Sequence, residues 1–318
     1  MHLGEIAFIA EYLAPLAKYP GAFGLKDDAA LLTGLPAAGL AVTADGLVAG
    51  VHFFEDDDPA DVAYKALAVN VSDLAAKAAR PLAYTMTLAL AAGPGEDWAR
   101  RFTGGLARAQ NEFGIALIGG DTVSARGAWW ISIAAFGEAS PRGLVPRGGA
   151  KAGDLLYVSG TVGDAALGLK LRLEPQAFAA ALSAAQREFL LSRYLYPQPR
   201  LPLAPALASE ASAAMDISDG LALDLSRMCG ASRVSAEVAI AAIPLSQAAR
   251  RLAATGGETV RTILTGGDDY EILAAVPPQR ASAFEAMAQA GGVPVARVGT
   301  VSAGLGLPRF LAADGSEF

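Results

Sequence analysis

Most of what a zinc site or a thiol catalyst is built from is missing: 318 residues hold one cysteine and two histidines. A single cysteine excludes an internal disulfide and a cysteine-rich metal site, and Cys229, set in the apolar run LSRMCG, reads as a buried helix residue rather than a nucleophile. A Ser-His-Asp hydrolase needs a histidine, but His2 is terminal and only His52 remains. Apolar residues make up 53% of the chain, yet no run approaches the roughly 20 residues of a membrane span. Glu5 and Glu11 interrupt the first twenty residues, which have no basic leader; this argues against a signal peptide and for a cytoplasmic protein. A net charge of -7 disfavours a nucleic-acid surface, because phosphate backbones are held by clustered Lys and Arg. The common nucleotide signatures are absent as well. There is no G-x-x-x-x-G-K-[ST] and no G-x-G-x-x-G between a strand and a helix, which disfavours P-loop, protein-kinase and Rossmann readings.

What is present is an alternation of strand-like and helix-like segments, the pattern of an α/β or α+β protein. Apolar spacing predicts a helix over 4–18, strands at 29–32 and within 39–53 with Asp45-Gly46 as a hairpin turn, and a helix from Pro59, capped by Asp58, to about Ala79. Strands are expected at 82–91, 115–120 and 128–139, with a helix over 96–114 between the first two. The segment SPRGLVPRGGAKAGD (140–154) is the best linker candidate and sets a boundary near 146, giving domains 1–146 and 147–318. Beyond it, LLYVSG, RVSAEVAI, VRTIL, YEILAAVP and VPVARVGTV read as strands, and DGLALDLSRMCG as a helix capped by Asp219.

Aspartates recur where these elements meet: Asp27-Asp28, Asp45, Asp73, Asp121, Asp216, Asp219 and Asp268-Asp269. Singly, most have a structural reading: a hairpin for Asp45-Gly46, a turn for Asp121, helix caps for Ser218 and Asp219. Asp73 differs, since it interrupts an apolar helical stretch where an ionised group needs a partner or a metal. Loops at strand ends are where α/β proteins place ligands, so the set could converge. Two unit charges 4 Å apart repel by about 4 kcal/mol at an effective dielectric of about 20, so converging aspartates need cations among them. Oxygen donors without Cys or His sets suit Mg²⁺, which would let an acidic protein hold ATP.

The ordered segments KDDAALL, TADGLVAGVHF, VSDLAAKAARP, LIGGDT, RGGAKAGD, DISDGLALDL and GGDDYE resemble those of the thiamine-monophosphate kinase family, a branch of the superfamily that includes aminoimidazole ribonucleotide synthetase. The resemblance implies two α/β domains, N-terminal strands pairing across a homodimer, and direct transfer of the ATP γ-phosphate to thiamine monophosphate. It further implies Asp27, Thr43, Asp45, Asp73, Asp121, Asp216 and Asp219 as Mg²⁺ ligands, with Asp45 and Asp219 nearest the transferred phosphate. Gly120, Asp121, Arg147 and Ser218 would contact ATP, and His52, Asp268 and Phe318 would contact the substrate. Ala44 stands where relatives often carry a hydroxyl, Asp268 where they read GGEDYE, and Phe318 would replace the usual aromatic of a longer tail. Alternatives are another ATP-dependent synthetase of the superfamily, activating an amide or carbonyl oxygen, and an ATP-binding module without catalysis. Selenophosphate synthesis is disfavoured because no cysteine precedes KDD.

Overall fold

Along Trp130–Glu138 every second residue is buried, the pattern of a strand covered on one face, and in this computed structural model that strand lies inside a four-stranded sheet. The structure describes residues 4–26, 29–34, 37–91, 93–176, 178 and 180–318. The chain divides into two compact units, Met1–Leu74 with Ala79–Pro141, and Ala75–Ala78 with Arg142–Phe318.

The first unit contains α1 (Glu5–Phe8), β1 (Leu40–Val48), α2 (Pro59–Ala76), β2 (Arg80–Leu90), α3 (Glu96–Phe113), β3 (Ala116–Ser124) and β4 (Trp130–Glu138). The strands lie in the order β1-β4-β2-β3. β4 is antiparallel to both of its neighbours, and β2 is parallel to β3, the pair that α3 connects as a parallel crossover requires. α2 is apolar nearly all round, with Ala63, Leu67, Ala68, Val71 and Leu74 buried, as expected of a helix inside a core rather than on its surface. α3 is amphipathic; it buries Ala99, Phe102, Leu106 and Ala109 at helical spacing and stops at Gly114, whose φ of 65° suits a left-handed C-cap.

The second unit contains β5 (Leu155–Ser159), α4 (Asp164–Leu173), α5 (Ala184–Leu195), α6 (Ala204–Glu210), β6 (Ala213–Ile217), α7 (Leu221–Ser232), β7 (Ser235–Ala239), α8 (Gln247–Ala253), α9 (Gly257–Thr265), β8 (Glu271–Val276), α10 (Ala281–Ala290), β9 (Val295–Ser302) and β10 (Arg309–Leu311). Six strands run in the order β10-β7-β9-β5-β8-β6. β5, β6 and β8 are buried at every residue because helices cover both faces. Leu156 and Val158 share one core with α4, α5, α7, α8 and α9, and Leu155 and Tyr157 share the other with α6 and α10. Cys229 is buried on α7 as expected, and burial pushes its thiol up to about 11.

Several elements differ from expectation. The first helix breaks into a single α-helical turn, a wider π turn over Ile9–Leu13 and a 3₁₀ turn over Ala14–Leu16, where Pro15 removes a donor. Residues 29–32 form no strand; Leu31 N instead bonds Gly21 O at 2.8 Å. Asp45-Gly46 is not a hairpin. β1 runs straight through it, with Asp45 opposite Ile133 and Gly46 opposite Ser132, and the chain turns later at Gly50, φ 77°. α2 stops at Ala76, and Arg80-Pro81 opens β2 rather than ending the helix. VRTIL lies within α9, where Ile263 and Leu264 are buried, so tertiary packing overrides the β propensity of its branched residues. No helix among the described residues is long and apolar enough to cross a membrane.

Candidate functional site

In the first unit α2 lies against β1 and joins three of the singled-out residues. Thr43 Oγ1 donates to Asp73 Oδ2, so the half-buried carboxylate within the apolar helix finds its partner on the strand. Two residues along β1, Asp45 N donates to Asn70 Oδ1 at 3.0 Å. Asn70 is itself buried and donates from Nδ2 to Ala66 O at 3.0 Å, so it fixes the backbone that carries Asp45. His52 is in the turn after β1 rather than on a strand, and it is exposed. Its Nδ1 accepts from Val48 N at 3.1 Å, while buried Lys65 donates to its carbonyl at 3.2 Å. Sequence reading passed over Asn70 and Lys65, although a polar residue in so apolar a helix is the same signal that singled out Asp73.

Gly120 and Asp121 stand at the other edge of this sheet. Asp45, Ile133, Met86 and Gly120 form one row across the four strands, and three interstrand steps of about 4.8 Å put its ends about 14 Å apart. Asp45 and Asp121 thus stand on the two outer strands of the sheet. Beside Gly119, Gly120 and Asp121 is a partly open cavity of about 260 Å³, also lined by Ile9, Leu13, Ala22 and Leu25. Gly120 has φ 153°, and a Cβ there would lie 1.9 Å from Met86 O, so only glycine lets β3 pass β2 this closely. Asp27 lies outside the described residues.

In the second unit the motifs DISDGL and GGDDYE are locked together. Asp268 N donates to Ser218 O and Tyr270 N to Ile217 O, both at 2.9 Å. Gly267 packs against the same Ser218 carbonyl, 2.3 Å from where its Cβ would be. Ser218, Asp219 and Asp268 thus share one end of the sheet, beyond buried Asp216 on β6. Asp219 does not cap α7. Gly220 takes that position at φ 107°, buried Asp224 accepts from Asp219 N at 2.9 Å, and the Asp219 carboxylate pairs with Arg227. Burial pushes the Asp224 carboxyl above the usual range. Burial also pushes that of Asp269 up to about 8, opposed by hydrogen bonds from the Gly163 and Ala165 amides. The other two residues lie elsewhere. Pro146 O, just before Arg147, accepts from Ala214 N at 3.0 Å near the start of β6, four residues and about 13 Å of strand from Ser218. Phe318 rests by Gly257 at the start of α9, about 13 Å of helix from Gly266.

The donors in both units are hard oxygens, which fit Mg²⁺ and not a softer metal. Among the described residues no three His, Cys, Asp or Glu stand close enough together to hold an ion without help.

Residues 26–139 match the family described as AIR synthase related protein, N-terminal domain, and residues 151–307 match AIR synthase related protein, C-terminal domain. The chain is 39% identical over 310 residues to the thiamine-monophosphate kinase of Caulobacter vibrioides, covering 96% of this chain and 86% of that one. The solved thiamine-monophosphate kinase of Stenotrophomonas maltophilia superposes with a TM-score of 0.85 at 38% identity, covering 100% of this chain and 99% of that one. AaThiL complexed with AMPPCP and TMP superposes with a TM-score of 0.76 at 30% identity, covering 88% and 85%.

Proposed function

Because the chain belongs to the AIR synthase related proteins, and within them to the thiamine-monophosphate kinase family, we propose that it phosphorylates thiamine monophosphate with ATP. The reading is carried by one observation: the similarity to such kinases, at 38–39% identity, runs through both units and covers 86% and 99% of the two relatives' lengths. The terminal phosphoryl group of ATP passes in line to a phosphate oxygen of the acceptor; one P–O bond forms as the bond to ADP breaks, with no phosphoenzyme. Bound Mg²⁺ ions, several in number, would supply charge neutralisation between the two anionic reactants. Thr43, Asp45 and Asp73 would hold ions at one edge of the first sheet, Asp121 at the other, Asp216 and Asp219 in the second unit, and Asp27 would be a further ligand. Gly120, Asp121, Arg147 and Ser218 bind ATP, and His52, Asp268 and Phe318 bind the acceptor. Phosphorus NMR of ATP, Mg²⁺ and thiamine monophosphate with the purified protein is expected to show thiamine diphosphate and ADP growing together. No diphosphate at any magnesium concentration would refute the proposal.

The protein works in the cytoplasm as two domains, 1–146 and 147–318, and as a homodimer. β1 supports the last of these: it is an edge strand whose exposed Val42 and Ala44 carry no charge to block pairing with a second copy. Sedimentation is expected to give twice the 32.4 kDa chain mass, with Val42→Lys shifted toward monomer. A wild-type monomer at micromolar concentration would exclude this assembly.

A further inference from the structure

The turn that begins β8 is held by a network of buried polar and charged groups. Asp268 and Tyr270 both occupy the left-handed region, at φ 71° and φ 51°, conformations that non-glycine residues keep only where the surrounding structure holds them. Asp269, between them, is fully buried. Its carboxylate reaches the first turn of α4, where Oδ2 accepts from Gly163 N at 2.5 Å and Oδ1 from Ala165 N at 3.1 Å. Its carbonyl accepts from Arg193 Nη2 at 3.2 Å, and the same nitrogen donates to Glu271 Oε1 at 3.0 Å. Glu271, also fully buried, accepts from Arg200 Nε at 2.7 Å and Ser159 Oγ at 2.6 Å, and that hydroxyl accepts from Ile272 N at 2.8 Å.

Such a network is a poor way to stabilise a strand. Desolvation offsets much of the attraction in a buried ion pair, and an apolar core of equal volume commonly does as well or better. Here Arg193 Nη1 is buried without a hydrogen-bond partner among the described residues, which adds a further cost. What directional bonds supply, and apolar packing does not, is one fixed orientation for a peptide unit. That orientation sets Asp268 N on Ser218 O and brings Gly267 against the same carbonyl.

We propose that Asp269, backed by Arg193 and Glu271, is a positioning residue that holds the left-handed turn presenting Asp268 beside Ser218 and Asp219 to the phosphorylated acceptor. The identity of the acceptor rests on the kinase reading; the held turn does not. Asp269→Asn keeps the size of the side chain but leaves one α4 amide facing an NH₂ group. In the full-length protein it is expected to raise KM for thiamine monophosphate about tenfold or more, with KM for ATP changed less than about twofold. Asp268→Ala is expected to do the same, and the double variant to be no worse than Asp268→Ala alone, because the first residue acts through the second. Additive effects, or both KM values rising together with a lowered Tm, would assign Asp269 a merely structural role and overturn the proposal. Should Asp269→Asn fail to fold, Arg193→Met, which removes the Nη2 that donates to both Asp269 O and Glu271, is measured the same way. Amide hydrogen exchange at Asp268 separates this inference from the kinase reading. Exchange about tenfold faster there in either variant, with the rest of the unit protected, upholds positioning even in a protein that phosphorylates nothing. Unchanged protection at Asp268 overturns it whatever the activity.

Discussion

Asp45→Asn is expected to lower kcat by about 10²–10³-fold, the usual cost of removing one group that stabilises charge in a transition state, while Tm stays within about 2 °C. Two ties of residue 45 survive the change, because its N–H bonds Asn70 Oδ1 and its strand pairs opposite Ile133 through main-chain groups that asparagine keeps. The substitution keeps the shape of the side chain and removes its charge. If Asp45 holds a cation against the transferred phosphate, the loss appears in kcat and in a higher magnesium requirement. If Asp45 only shapes the strand, kcat stays near the wild-type value. Steady-state rates over a magnesium series, beside thermal melts of both proteins, decide between them, and a kcat within about twofold of wild type removes Asp45 from the site.

The separation of fold from charge at Asp45 also marks where sequence reading works and where it stops. α3 was legible from both ends, because its apolar residues keep helical spacing for five turns and Gly114 closes it. Asp45-Gly46 was misread because a local turn signal is weaker than nine consecutive residues of pairing with β4, and Gly46 uses none of the freedom that a hairpin would need. VRTIL was misread for a related reason, since two buried residues on one face of α9 outweigh branched side chains. In the site, the acidic motifs and their order were legible as chemistry. Their support was not: Arg193 and Arg200 act through Glu271, 78 and 71 residues away, and no local pattern encodes such a pairing. The short segments DISDGL and GGDDYE were visible one by one, but the backbone bonds that fuse them exist only in the folded chain.

Gly120→Ala is expected to be the most damaging single-methyl change in the first unit. At φ 153° the residue sits where side chains are rarely tolerated, and the added carbon would fall 1.9 Å from Met86 O and 2.8 Å from Met86 C. These are backbone atoms of β2, which is paired with β4 on its other side and has no freedom to retreat. Relief must come from β3, an edge strand, moving outward. That movement carries Asp121 with it and reshapes the cavity that Gly119, Gly120 and Asp121 line against Leu13 and Leu25. A cost of about 3 kcal/mol, the upper range for overpacking, corresponds to a fall in Tm of roughly 6–12 °C. The proposed ATP site at this edge adds a second effect: KM for ATP rises about tenfold or more, and KM for the acceptor moves less. Gly119→Ala is the control one residue away, because its nearest neighbour would be the Thr85 methyl at an ordinary 3.9 Å. If Gly120→Ala melts and binds ATP like Gly119→Ala, the close passage of β3 over β2 is not what shapes this edge, and the nucleotide must be held elsewhere.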